Sequence, residues 1–127
     1  MRVIVCGGRT YDNEDAVEAE IVALVAEHGA DITVVHGAAP GADSLAASAA
    51  VKLGLEREAH PADWSTYGRA AGPIRNQEMA DGGADLCVAF PGGLGTADMV
   101  RRANAAGIPV RQVRDDGGRA DDERHVE

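Results

Sequence analysis

Aromatic residues are scarce in this chain: one Trp, two Tyr and one Phe make up 3% of 127 residues. A core must therefore be assembled from Val, Ile, Leu and Ala, and stacking platforms for single-stranded nucleic acid are few. Cysteine is scarce as well. Cys6 and Cys87 each sit inside an apolar run, which reads as two small core residues and not as a disulfide in a reducing compartment. The four histidines are scattered without metal-ligand spacing, so no metal is expected. An excess of basic charge is missing too: 12 Lys and Arg face 21 Asp and Glu, a net charge of -9. That balance argues against nonspecific binding to nucleic acid, which needs a basic face, and leaves room for a local basic pocket. No apolar run is long enough to cross a bilayer, so no membrane is expected as a partner. The opening Met1-Arg2-Val3-Ile4-Val5 is too short for a signal peptide, and the expected location is the cytoplasm.

What is present is an alternation of short apolar runs and helical patterns. Arg2 to Cys6 reads as a strand buried on both faces, as in a parallel sheet covered by helices. Asn13 or Asp12 can cap a helix from Glu14 to His28, which carries Val17, Ile21, Leu24 and Val25 at helical spacing before Gly29. Ile32 to His36 is a second strand, followed by an Ala-rich helix from Ala42 to Leu53. Leu55 to His60 is a weaker third strand. Pro61 to Gly72 reads as a long loop holding Trp64, Tyr67 and Arg69, and a helix is expected from Pro73 to Gly82. Asp85 to Phe90, a helix from Thr96 to Ala106 and a strand from Ile108 to Val113 complete the pattern. Such alternation predicts an α/β, Rossmann-like three-layer sandwich with a five-stranded parallel sheet in order 3-2-1-4-5. Residues 1–113 form the expected domain, and Arg114 to Glu127, rich in Gly, Asp, Arg and Glu, is expected to be a disordered acidic tail.

The stretch Pro91-Gly92-Gly93-Leu94-Gly95-Thr96, between a buried strand and a helix, holds the densest functional signal. A glycine turn that opens a helix presents unpaired N–H groups and the positive end of the helix dipole to an anion. Thr96 can cap that helix or donate its hydroxyl to the anion. A single glycine turn is more often only a turn. Here Gly7-Gly8-Arg9 follows the first strand, and Gly37 to Gly41 with Asp43 follows the second. All three loops fall on the carboxyl edge of the sheet, where such folds bind ligands. Asp43 suits either the first turn of its helix or a sugar hydroxyl. Arg69 and Arg75, with Asn76 beside the latter, are fitted to hold phosphate, the alternative being surface ion pairs.

In order, Gly7-Gly8-Arg9-Thr10-Tyr11-Asp12, His36-Gly37 through Gly41-Ala42-Asp43, Ala62-Asp63-Trp64, Tyr67-Gly68-Arg69-Ala70-Ala71-Gly72-Pro73, Arg75-Asn76 with Met79, and Phe90-Pro91-Gly92-Gly93 through Gly95-Thr96 resemble the YspA (YpsA-related) branch of the SLOG superfamily. The resemblance runs from Met1 to about Val113. The superfamily is Rossmann-like and includes the lonely-guy (LOG) phosphoribohydrolases, molybdenum cofactor carrier proteins and DNA-processing proteins of natural transformation. It implies a site for a nucleotide or nucleotide-derived ligand with no further cofactor required, and, as in many relatives, a homodimer. In the enzymes, an arginine and the glutamate of Pro-Gly-Gly-x-Gly-Thr-x-x-Glu act at the N-glycosidic bond. The arginine position matches Arg75, but the glutamate position is Met99, and the nearest carboxylate, Asp98, is one residue early. One residue turns a helical side chain by about 100°. Glu78 is the other carboxylate near Arg75. Three readings follow: a nucleotide binder or sensor, an N-glycosidic hydrolase using Arg75 with Asp98 or Glu78, and a single-stranded nucleic-acid protein. Met99 favours the first over the second, and the acid excess counts against the third.

Overall fold

In the computed structural model, which describes residues 1–114, strand β1 (Arg2–Cys6) lies at the centre of the sheet. Its apolar residues alternate between two layers. Val3 and Val5 face helices α1 (Glu14–His28) and α2 (Ala42–Lys52), while Ile4 and Cys6 face α4 (Ala71–Asp81) and α5 (Leu94–Ala105). Burial on both faces is why the strand reads as a continuous apolar run. Strand β2 (Thr33–His36) pairs with one edge of β1, and β4 (Leu86–Ala89) with the other. Strand β3 (Glu56–Ala59) lies beyond β2 and β5 (Val110–Gln112) beyond β4. Every pairing is parallel, and the order is β3-β2-β1-β4-β5, as the alternation predicts.

Local chemistry explains the boundaries of α1. Asn13 caps its start by accepting a hydrogen bond from the Ala16 N–H at 3.0 Å, and Gly29 ends it at φ 85°. The Ala-rich helix α2 buries Ala42, Ala46, Ala49 and Ala50, so its backbone lies close to the sheet. Phe90 is the one aromatic side chain at the centre of the first layer, and Tyr11 packs on it with ring centroids 5.5 Å apart.

Two expectations are corrected. The long loop from Pro61 to Gly72 contains a four-residue helix, α3 (Trp64–Tyr67), and a 3-10 turn (Gly68–Ala70) that runs straight into α4 at Ala71. Asp63 nucleates α3 by accepting from the Thr66 N–H, and so short an element carries no periodicity to reveal it. Helix α5 begins at Leu94, two residues before the expected Thr96, with Gly93 as its N-cap residue. The expected tail reaches, from residue 115 onward, outside the described residues. Among the described residues no helix is long and apolar enough to cross a membrane.

Candidate functional site

Gly8 ties the carboxyl edge of the sheet together. Its N–H donates to the Pro91 carbonyl at 2.8 Å, and its own carbonyl accepts from the N–H groups of Tyr11 and Ala42, each at 3.2 Å. The loops after β1, β2 and β4 are thereby joined at one residue. Between them and the start of α4 lies an open cleft of about 1240 Å³. Gly7, Gly8, Arg9 and Asp43 line it from the first two loops. Pro91, Gly92, Gly93, Gly95 and Thr96 line it from the third, and Arg69, Arg75 and Asn76 from the far wall. Gly37 and Gly41, expected as ligand contacts, stand behind the residues that line the cleft. A Cβ on Gly37 would overlap the Arg75 guanidinium, and one on Gly41 would overlap the Gly8 carbonyl.

The glycines of the third loop divide into two kinds. Gly92 is required by the protein itself: a Cβ there would overlap Thr96 Oγ1 and stand 2.7 Å from Gly8 N. A Cβ on Gly93 or Gly95 would meet no protein atom within 4 Å. These two glycines border the cleft, yet no packing contact explains them. No side chain caps α5. Its first intrahelical bond runs from Ala97 N–H to the Gly93 carbonyl, so the N–H groups of Leu94, Gly95 and Thr96 precede the hydrogen-bonded ladder. The expected cap by Thr96 is replaced by an uncapped start, because Thr96 already lies inside the first turn. Leu94, the first residue of the helix, lines the same cleft and is 92% exposed.

The charged residues are also of two kinds. Arg75 braces the wall: Nη1 donates to the carbonyls of Gly37 and His60, and Nε donates to Asn76 Oδ1. Asp43 folds the loop after β2, its Oδ2 accepting from the N–H groups of Gly37 and Ala39 at 3.1 and 3.3 Å. Burial raises the Asp43 pKa, opposed by these hydrogen bonds and by the charges of Arg75 and Arg9. Arg9 and Arg69, by contrast, are exposed and have no carboxylate in salt-bridge contact among the described residues, although the chain is strongly acidic.

Both carboxylates expected as catalytic candidates are engaged by other side chains. Asp98 borders the cleft, but its oxygens accept from Arg101 at 2.7 Å, Arg102 at 2.8 Å and Asn76 Nδ2 at 3.0 Å. Burial alone would raise its pKa, but the hydrogen bonds from Arg102 and Asn76 outweigh that and hold it below the ordinary value. Asp98 thus clamps α4 to α5 as an anion. Glu78 does not line the cleft; it is bonded to His60 Nδ1 at 2.6 Å, and its side chain is largely exposed. Met99 is 1% exposed, in the apolar layer with Ile4, Met79 and Ala103, so the position of the enzymes' glutamate is here part of the floor.

Behind the cleft wall, His60 bridges Glu78 and Glu58, with Nε2 2.7 Å from Glu58 Oε2. Arg2 meets Glu58 through two parallel hydrogen bonds. Burial lowers the His60 pKa, but its bonds to Glu58 and Glu78 outweigh that and raise it. The bonds from Arg2 and then His60 bring Glu58 down to about 2. The His60 contribution is complete below the unfolded histidine value and is lost as pH rises through the raised folded value. The Glu58 contribution is present above the unfolded carboxylate value and is lost as pH falls toward about 2. The expected result is that the stability difference between the parent and His60→Gln, from urea unfolding, shrinks as pH rises from below the unfolded histidine value through the raised folded value. A difference that grows over that interval would mean that His60 is held neutral.

Sequence reasoning also missed Tyr11, Trp64, Leu94 and Arg101, which line the cleft as well. For Trp64 a signal was present: the only Trp of an aromatic-poor chain stands outside every apolar run. The profile of the YspA, cpYpsA-related SLOG family matches residues 1–67. The Gene 61 protein of Mycobacterium phage D29 is 39% identical over 116 residues, covering 86% of this chain and 93% of its own length. The chain belongs to the YspA, cpYpsA-related SLOG family. DNA processing protein A (DprA) from Streptococcus pneumoniae shares the fold of this SLOG protein, with a TM-score of 0.73 and 21% identity over 88% of the chain. The chain spans half of that DprA chain. The five-stranded parallel order reported above is therefore the SLOG, Rossmann-like architecture expected from the motifs.

Proposed function

We propose that this SLOG protein binds a nucleotide or nucleotide-derived ligand, with a phosphate seated on the N-terminus of α5. The reading rests on one observation above all. Gly93 and Gly95 border the cleft where no protein atom needs them to be glycine, at the start of a helix that no side chain caps. Gly93 is at the N-cap, where glycine is favoured, but glycine within a helix costs about 1 kcal/mol against alanine, so Gly95 in the first turn calls for a reason. Close approach of an anion to bare N–H groups supplies one. Arg9 and Arg69 bring two positive charges to the same cleft without a carboxylate in contact, which suits a phosphate of charge near -2. Arg75, Asn76 and Asp43 hold the walls in place and leave the phosphate to the helix and the exposed arginines.

Turnover is not expected. Hydrolysis of an N-glycosidic bond needs a carboxylate placed at the bond, and positioned acid–base groups contribute about 10²–10⁴-fold in rate. Asp98 is bound by two arginines, Glu78 lies outside the cleft, and Met99 is apolar. The alternative, an N-glycosidase, is favoured only by Asp43, a carboxyl with a raised pKa that does line the cleft. A thermal-shift screen with nucleoside monophosphates, ADP-ribose and NAD, followed by chromatography for free base, separates the readings. Binding is expected to raise the melting temperature; a ligand at 100 times its Kd adds about 2.7 kcal/mol. No free base is expected. Release of base that disappears in Asp43→Asn would establish the hydrolase instead. The net charge of -9 and the small number of aromatic residues do not favour a nucleic-acid strand as the ligand.

A further inference from the structure

We propose that Trp64 is the platform on which the aromatic base of the ligand stacks, in the place that the Arg9 guanidinium takes in this structure. The inference rests on the proposed anion site and adds to it what the ligand must carry: a phosphate joined to an aromatic base.

Trp64 is 48% exposed and lines the cleft, although aromatic side chains are scarce in this chain and the single Phe, Phe90, is spent on the core. The ring is positioned by its neighbours. Asp63 holds the short helix α3 by accepting from the Thr66 N–H and the Ser65 hydroxyl. Gly68, at φ 55°, turns the chain toward α4. Gly72, within α4, receives the benzo end of the indole so closely that a Cβ there would stand 3.3 Å from Cη2. The indole is thus fixed from α4 while much of it remains in solvent.

Arg9 Cζ stands over the ring, 5.3 Å from its centroid. That is a cation–π arrangement between an exposed arginine and a partly exposed indole, worth only about 0.5–1 kcal/mol. A base inserted between two planes needs about twice the 3.5–4 Å contact distance of carbon atoms. The gap is too narrow, so the base must replace the guanidinium. Arg9 follows Gly8, whose N–H is bonded to the Pro91 carbonyl, so the displaced side chain starts beside the loop that opens α5. Its charge then becomes available to the phosphate. A sugar phosphate without a base has no π face to exchange for the guanidinium and leaves Arg9 on the ring.

The test uses the single Trp as its own reporter. The whole protein is titrated with AMP, GMP, CMP and UMP and, separately, with ribose 5-phosphate, reading Trp fluorescence and calorimetric affinity. At least one nucleotide is expected to quench Trp64 on binding, and ribose 5-phosphate is expected to compete with that nucleotide without quenching. Trp64→Ala is expected to weaken the nucleotide roughly 5- to 100-fold while leaving ribose 5-phosphate unchanged, and Trp64→Phe to restore most of the loss. If ribose 5-phosphate binds as tightly as every nucleotide, or Trp64→Ala weakens both ligand types equally, the stack is wrong and the anion site stands. If neither ligand type binds the parent, both are wrong.

Discussion

Gly93→Val is expected to abolish nucleotide binding and leave the fold in place. Gly93 is the N-cap residue of α5, and a side chain at that position projects toward the first free N–H groups of the helix. Valine has no oxygen to satisfy them and instead places two methyl groups where the phosphate would sit. Hydrogen bonds to a charged group are worth about 1.5–3 kcal/mol each, so losing two lowers affinity by more than about 100-fold. Stability is expected to fall by no more than about 1 kcal/mol, the difference in capping preference, because a Cβ at this position meets no protein atom within 4 Å. Gly92→Ala, one residue earlier, is the control. Its Cβ would overlap Thr96 Oγ1, so it is expected to destabilise the protein as well. Calorimetric titration together with urea unfolding checks both outcomes. A folded Gly93→Val that binds as tightly as the parent would reduce the loop to a turn.

Gly41→Ala is expected to be the most destabilising small substitution on the carboxyl edge. Gly41 adopts φ 80° and ψ -129°, a region open essentially to glycine alone. A Cβ there would also overlap the Gly8 carbonyl and stand 2.6 Å from the Arg9 backbone. Strain of this kind costs about 1–3 kcal/mol before any overlap is counted, so a loss above about 3 kcal/mol is expected. For a chain of this size that lowers Tm by roughly 10 °C or more. The bond from Ala42 N–H to the Gly8 carbonyl must yield as well, which loosens the contact between the first two loops. A stability loss under about 1 kcal/mol, read by urea unfolding, would show that the loops are not fastened through Gly8 and Gly41.

The sheet and its loops were legible because single residues carry their signals. The apolar run Val3-Ile4-Val5 marks a strand covered on both faces, Asn13 and Gly29 punctuate α1, and strand–helix alternation dictates parallel pairing. The start of α5 at Leu94 differs from the expected Thr96 because Gly93-Leu94-Gly95 has the composition of a turn. What makes it helical is tertiary: Asp98, Met99 and Ala103 are buried against α4 and the sheet. The ion pair that engages Asp98 was legible too, because Arg102, four residues on, is at the spacing of a helical ion pair. The bridge from Arg2 through Glu58 to His60 and Glu78 joins residues far apart in the chain, and no spacing reveals it. The division of the glycines into those packed against protein and those open to the cleft also needed coordinates, because both kinds look alike in Gly92-Gly93-Leu94-Gly95.

The most direct measurement of the anion site is a backbone amide NMR titration of the whole protein with the nucleotide that gives the largest thermal shift. The amides of Leu94, Gly95 and Thr96 are predicted to move together, saturate at one Kd, and show the largest perturbations in the chain. Ribose 5-phosphate is predicted to move the same three. Amides of α5 that stay in place while the nucleotide binds elsewhere, or no saturable perturbation with any nucleotide, ADP-ribose or NAD, would contradict a phosphate site at the start of α5.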